Sequence, residues 1–469
     1  MVFSDLLFIY LFLPVCLICY NLSENIRFRN TVLVFFSLLF YSFGEPKWVI
    51  LLIISSLTDF SCGLFIEKHR SEKKAVLGVI ASLVINLGLL FVFKYSGFTV
   101  GVINDLAGTD LAVPSIRLPI GISFYTFQTI SYTVDVYRKK AEVQHDFLDF
   151  LLFVSMFFQL VAGPVVRYTD ISREITSRKN TAENISGGIF RFISGLGKKV
   201  LIANCVGDIA KTAVFSGTPA SVLAAWTGTV MFSLQIYFDF SGYSDMAIGL
   251  GRIFGFSFPE NFNYPYVSRS ASEFWRRWHI SLGSFFRDYV YIPMGGNRKH
   301  QILNIAVVWF LTGLWHGAGF NYILWGLYFG VLVSIEKLFL GKVLERSHFL
   351  SRVYLLSAVL FGWILFSFED MGEMKNCLGA MFGAGDLPMT DLVTESLIKN
   401  NLYVIIAAVL ICCPIYGMIS EKADKFADGS EAAAGTVTFF RTVMFTAILL
   451  LSSLMLVKQS YNPFLYFRY

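Results

Sequence analysis

Charge is the scarcest commodity in this chain. Lys, Arg, Asp and Glu make up 15% of its 469 residues, where soluble domains carry about a quarter. That excludes an ordinary water-soluble globule. The net charge is only +5, and the basic residues sit in short loops rather than on one face, so nothing points to nucleic-acid binding. The seven cysteines (Cys16, Cys19, Cys62, Cys205, Cys377, Cys412 and Cys413) form neither a zinc pattern nor a disulfide framework and read as small core residues. No metal site is expected. A Gly-rich phosphate loop is missing, and so is a serine elbow, since "GISFY" lacks the second glycine. Tandem repeats, low-complexity tracts and a separate soluble domain are missing too. The N-terminus, "MVFSDLLFIYLFLPVCLICYNL", has no basic leader and no small-residue cleavage site, and is read as a retained first helix.

What fills the chain is apolar. Hydrophobic residues account for 55%, Phe alone for 48 positions, and the mean hydropathy is +0.61. Runs long enough to span lipid, about 20 residues each, recur from end to end. They cover roughly 2–20, 31–46, 47–66, 75–97, 118–136, 353–369, 401–420 and 437–457. The basic loops "NLSENIRFRN", "EKHRSEKK", "YRKKAE" and "GNRKHQ" are placed in the cytoplasm by the positive-inside rule, which puts both termini outside. The expectation is an all-α polytopic membrane protein with about 11 to 13 membrane segments, some of them re-entrant. Residues 147–166 are expected to enter and leave on one side, which is tolerated only under protein cover. Residues 184–210 and 222–256 are read as apolar but broken by Gly, Asp and Arg, and 273–291 as too charged to face lipid.

Three stretches could carry chemistry. In "FLTGLWHGAGFNYILWG" (310–326) an imidazole, His316, stands among glycines. The apolar run from Ile302 to Trp315 would make about 21 Å of helix, too short for roughly 30 Å of hydrocarbon. His316 should therefore sit at an internal break at membrane depth. A core histidine bonded to a carbonyl is the bland reading, but an ionisable group inside a membrane is functional by default, and an imidazole suits general-base work on a hydroxyl.

In "SRSASEFWRRWHISLGSFFRDYVYIPMGGNRKH" (268–300), Glu273, Arg276, Arg277, His279, Arg287 and Asp288 alternate with Phe274, Trp275, Trp278, Phe285 and Phe286. On a helix Glu273, Arg276 and His279 would share one face. Either this is an interfacial helix with snorkelling arginines, or it is a polar lining for an anionic or polar group. His279 is either a catalytic partner or a structural ligand of a nearby carboxylate. In "QIYFDFSGYSDMAIGLGRIFGF", Asp239 and Asp245 are read as buried carboxylates paired with Arg252 or with arginines of the next segment.

Taken together, "LPIGISFYTFQTISYTVDVYR" (118–138), "FFQLVAGPVVR" (157–167), "YFDFSGYSDMAIGLGRIFGF" (237–256), "FPENFNYPY", "EFWRRWHISLGSFFRDYVYIPMGGNR" and "GLWHGAGFNYILWG" (313–326) resemble the membrane-bound O-acyltransferase (MBOAT) superfamily, in its bacterial alginate O-acetyltransferase-like branch. The resemblance implies a single MBOAT domain over 1–469: N-terminal helices (1–117), a catalytic core (118–341) and C-terminal helices with an aromatic tail (342–469), around a central tunnel. It implies His316 as the catalytic histidine and His279 as the second polar residue of the site. Trp315, Asn321, Trp275, Arg276, Arg277, Trp278, Asp288, Asp239 and Asp245 are the expected lining. It further implies a cytoplasmic donor, acetyl-CoA or a related thioester, with no bound cofactor. The acceptor would be a polysaccharide outside a bacterial cytoplasmic membrane, reached with an extracytoplasmic SGNH-type acetyltransferase as partner. The chain end "FLYFRY" resembles an aromatic tail motif of relatives that hand acyl groups outward. Tyr466 is accordingly read as an acyl relay in preference to an interfacial aromatic anchor. Two alternatives stand beside this reading: D-alanyl transfer to teichoic acid, and a polysaccharide exporter or secondary transporter, since broken helices with buried charge mark transporters as well.

Overall fold

The computed structural model describes residues 1–458 and 464–465. Tyr466 lies outside the described residues. Among them there are helices and no strand, as a chain that must satisfy its own backbone in lipid requires. Six helices are long and apolar enough to cross a membrane: Ile26–Gly44, Val49–Lys68, Ala75–Ala107, Phe320–Leu344, His348–Ser367 and Glu431–Lys458. The pair Leu392–Asn400 and Leu402–Ile411, bent by 63°, makes either a broken seventh span or a re-entrant loop. Phe8–Asn21 and Gln301–His316 are shorter apolar helices. The chain is a multi-pass membrane protein; any larger count of membrane segments has to draw on such short pieces.

The chain folds into two compact units. One comprises Met1–Phe192 and Ser244–Glu260, the other Ile193–Tyr243 and the described residues from Asn261 on.

In the first unit, Val49–Lys68, Ala75–Ala107 and Ile122–Tyr137 pack together. Glycines bring them close: a Cβ on Gly63 would stand 2.6 Å from the Tyr132 hydroxyl, and one on Gly78 2.6 Å from Ile66. Their shared core holds a carboxylate. Asp59 accepts from the Ser82 hydroxyl and, at 2.7 Å, from the Asn86 amide, while Ser55 donates to Asn86 Oδ1 at 2.8 Å. Residues 150–166 are buried without interruption. The helix there stops at Ser155, resumes for Phe157–Leu160 and then gives way to irregular backbone. Protein covers this stretch, as irregular backbone at membrane depth demands.

The Gly, Asp and Arg that interrupt the apolar runs 184–210 and 222–256 do not interrupt the helices. The chain is helical without a gap from Ala182 to Phe215, with π turns at Lys198–Ala203 and Lys211–Phe215, and Val222–Ile253 is a single helix of 32 residues. The glycines read as breaks are contact points instead. A Cβ on Gly242 would lie 2.7 Å from the Gly195 carbonyl and 3.1 Å from the Lys199 amide nitrogen. Gly242 thus lets two helices touch backbone to backbone, a use of small residues typical of membrane helices. That close approach brings Lys199 within reach of Asp239.

Candidate active site

All the geometry that follows lies in the second unit unless stated. The helix Gln301–His316 ends at His316; Gly317 and Gly319 are extended, and the chain re-enters helix at Phe320. The break expected at His316 is there. The two helices pack along each other because Gly313 faces the Tyr322 carbonyl and Gly326 the Trp309 carbonyl, too closely for any Cβ. His316 is buried at this hairpin tip. Its ring meets Trp325 and Phe366 edge-on, with centroids 4.9 and 5.2 Å away. Asn321 donates from Nδ2 to the Phe366 carbonyl at 3.1 Å, fixing the segment that supplies this wall.

His316 opens onto a narrow cavity of about 20 Å³, room for roughly one water molecule. Ile236, Asp239 and Phe240 of the long helix form one side, and Trp278, Trp363 and Phe366 another. The remaining wall is the chain's own C-terminal tail, Phe464 and Leu465. Asp239 forms an ion pair with Lys199 through Oδ1 and accepts the Leu465 N–H on Oδ2 at 2.7 Å. Its cationic partner is thus Lys199, rather than Arg252 or an arginine of the next segment.

The Arg-Arg-Trp-His stretch is not one helix. Ala271–Arg277 ends before Trp278, and His279 takes a left-handed backbone, φ +45°, ahead of a second helix, Ile280–Phe286. The common face expected of Glu273, Arg276 and His279 does not exist. Glu273 pairs instead with Arg277, at 2.9 Å, and Arg276 is exposed. The first helix is held at its start by Glu336, whose carboxylate accepts the N–H groups of Ala271 and Ser272 at 2.6 and 2.8 Å. A carboxylate suits those orphan donors. Trp275 stands edge-on to Trp309, Trp325 and Phe329, and Trp278 stacks on Phe274.

His279 is buried and, among the described residues, bonds to no carboxylate. Its Nδ1 lies 3.1 Å from Asn261 Oδ1, which also receives the Ser281 backbone N–H at 3.3 Å. A backbone N–H can only donate, so that atom is an oxygen acceptor and Nδ1 carries the proton. Nε2 is then the lone-pair nitrogen; it is buried without a hydrogen-bond partner among the described residues. A left-handed non-glycine residue with an unspent buried nitrogen fits functional constraint better than packing. Trp315 stands between the histidines, 5.8 Å from His279 and 5.0 Å from His316.

Of the nine expected lining residues, Trp278 and Asp239 are among those that line the His316 cavity. Asp245 belongs to the first unit, where it binds Arg191 at 2.7 Å. Asp288 is taken by its neighbour Arg287 at 2.7 Å. No cluster of three or more His, Cys, Asp or Glu able to hold a metal occurs among the described residues.

The sequence profile of the membrane-bound O-acyltransferase family matches residues 33–371. The chain belongs to the membrane-bound O-acyltransferase family. It is 36% identical, over the full length of both chains, to the Azotobacter vinelandii protein described as "Probable alginate O-acetylase AlgI". It is 32% identical to the "Peptidoglycan O-acetyltransferase" of Helicobacter pylori, covering 89% of this chain and 87% of that one. A "Teichoic acid D-alanyltransferase" of Bacillus subtilis is more distant, at 29% over 47% of this chain. Membership makes the protein an MBOAT acyltransferase and sets the transporter reading aside. Sequence reasoning missed Lys199, Asn261, Glu336 and the inward-facing Phe464 and Leu465. Only Lys199, a cation within an apolar run, left a signal that could have been caught.

Proposed function

We propose that the protein transfers an acetyl group from a cytoplasmic thioester, acetyl-CoA or a related carrier, across a bacterial cytoplasmic membrane for O-acetylation of an extracytoplasmic polysaccharide. The observation that carries this reading is a histidine at a broken membrane hairpin, opening onto a small aromatic cavity. His316 takes the proton of an acceptor hydroxyl as the hydroxyl oxygen bonds to the thioester carbonyl carbon. The carbon–sulfur bond breaks, and the departing sulfur takes the proton back. General-base help of this kind is worth about 10²–10⁴-fold. His279 Nε2 offers a second lone pair, for holding a hydroxyl or thiol proton close by.

Tyr466 is the acceptor this reading assigns. Its phenol would take the acetyl group as an ester and pass it to an SGNH-type acetyltransferase outside, with both termini of the chain on that side. Support comes from Leu465, the preceding residue, which lines the cavity. Acetyl is favoured over D-alanyl because a D-alanyl group brings an ammonium, and the carboxylate among the described lining residues, Asp239, is already spent on Lys199 and Leu465.

The test is the acetyl content of the cell's polysaccharide in a His316→Ala strain with verified protein level. A loss of about 100-fold or more is expected; unchanged content ends the catalytic assignment. Tyr466→Phe separates relay from direct transfer: retained acetylation would remove the relay and leave His316 standing.

A further inference from the structure

We infer that Asp239, locked by Lys199, is the anchor that seats the C-terminal tail in the wall of the His316 cavity, and so acts as a positioning residue for acyl transfer. The inference rests on reading that cavity as the transfer site. Leu465 is 226 residues from Asp239 in sequence, yet its backbone N–H donates to Oδ2 at 2.7 Å. The other carboxylate oxygen is held by Lys199, and the two side chains are only 6% and 2% exposed. With both oxygens engaged, the carboxylate cannot turn.

Such a pair is a poor way to gain stability. Taking both charges out of water costs about as much as their attraction returns, and apolar residues of similar volume often do as well or better. What an apolar pair lacks is an oriented acceptor. Here the acceptor receives a main-chain donor, so it grips the tail whatever its side chains are. Phe464 adds a wedge: it is buried, 4.9 Å from the Tyr243 ring and 5.8 Å from Phe240. Phe240 in turn meets the His279 ring edge-on at 4.7 Å. One aromatic side chain therefore touches both the tail and the second histidine, and tail seating shapes the cavity.

The experiment places a thiol on the tail. In full-length protein with the seven native cysteines replaced, Leu465→Cys in membrane vesicles should react slowly with N-ethylmaleimide. Lys199→Met/Asp239→Leu removes the acceptor together with the cation that holds it; labelling should then rise at least about tenfold and polysaccharide acetylation fall by a similar factor. A purely structural ion pair predicts unchanged labelling and unchanged acetylation in this apolar double variant, and that result would overturn the inference. A second measurement needs no substitution. The Leu465 amide of the wild-type protein should exchange with deuterium far more slowly than a free chain end, and exchange at the free rate would equally overturn it. His316→Ala and Tyr466→Phe should leave the labelling slow. Fast labelling in the double variant with acetylation intact in Tyr466→Phe keeps the anchor and discards the relay; the reverse pattern discards the anchor alone.

Discussion

Asp239 and Asp245 stand six residues apart on one helix, both buried and both paired with a cation, and they do different work. Asp245 faces Arg191, which also reaches Glu260 at 2.6 Å; Arg191 is 36% exposed and Glu260 56%. This is a half-solvated triad in which the cation keeps a second partner if one carboxylate is lost. Asp239 faces a Lys199 with almost no exposure and spends its other oxygen on a main-chain N–H from the far end of the chain. The lesson is that a buried carboxylate should be read through its second oxygen. Where that oxygen meets water or another local group, the residue neutralises charge. Where it meets a distant strip of backbone beside the His316 cavity, it organises that cavity's wall.

The comparison breaks hardest at Asp239→Ala. It removes the carboxylate paired with the buried Lys199, and destabilisation of about 3–5 kcal/mol is expected. Thermal unfolding in detergent should show it as a large fall in Tm, with loss of acetylation; a Tm like the wild type's would mean the pair is not truly shielded. Next comes His279→Gln. Glutamine can keep a bond to Asn261 or Ser281 but offers no basic nitrogen, so acetylation should drop about 10²-fold with Tm held, whereas equal activity would make His279 a packing residue. Asp245→Asn follows, with Arg191 still holding Glu260: about 1 kcal/mol or less, acetylation within about twofold, and slow labelling of the tail thiol. The smallest effect is that of salt. Raising ionic strength to about 1 M shortens screening to about 3 Å. The Tm gap between wild type and Asp245→Asn should narrow, while the gap to Asp239→Ala stays put.

How far the sequence revealed this follows from where the physics is local. The His316 hairpin was legible because a short apolar run and a cluster of glycines lie side by side in the chain, and helix length against bilayer thickness is simple arithmetic. The Arg-Arg-Trp-His stretch was half legible: its charges and aromatic rings stood out, but its break did not. His279 adopts a left-handed backbone with neither glycine nor proline to announce it, so periodicity ran straight through. The glycines of Val222–Ile253 misled in the opposite sense, since sequence alone does not distinguish a glycine that ends a helix from one that lets Gly195 approach. Pairing between helices was illegible. Arg252 is close to Asp239 in sequence and Lys199 is not, yet the π turn and the Gly242 contact bring Lys199 in. The tail's grip on Asp239 had no signature at all, because its donor is main chain.

The most direct measurement uses purified protein in liposomes supplied with acetyl-CoA, following release of free thiol with wild type and His316→Ala side by side. The account predicts turnover by wild type and a rate at least about 100-fold lower for the variant, with both proteins folded. Equal thiol release from the two would contradict the claim that this buried imidazole drives acyl transfer.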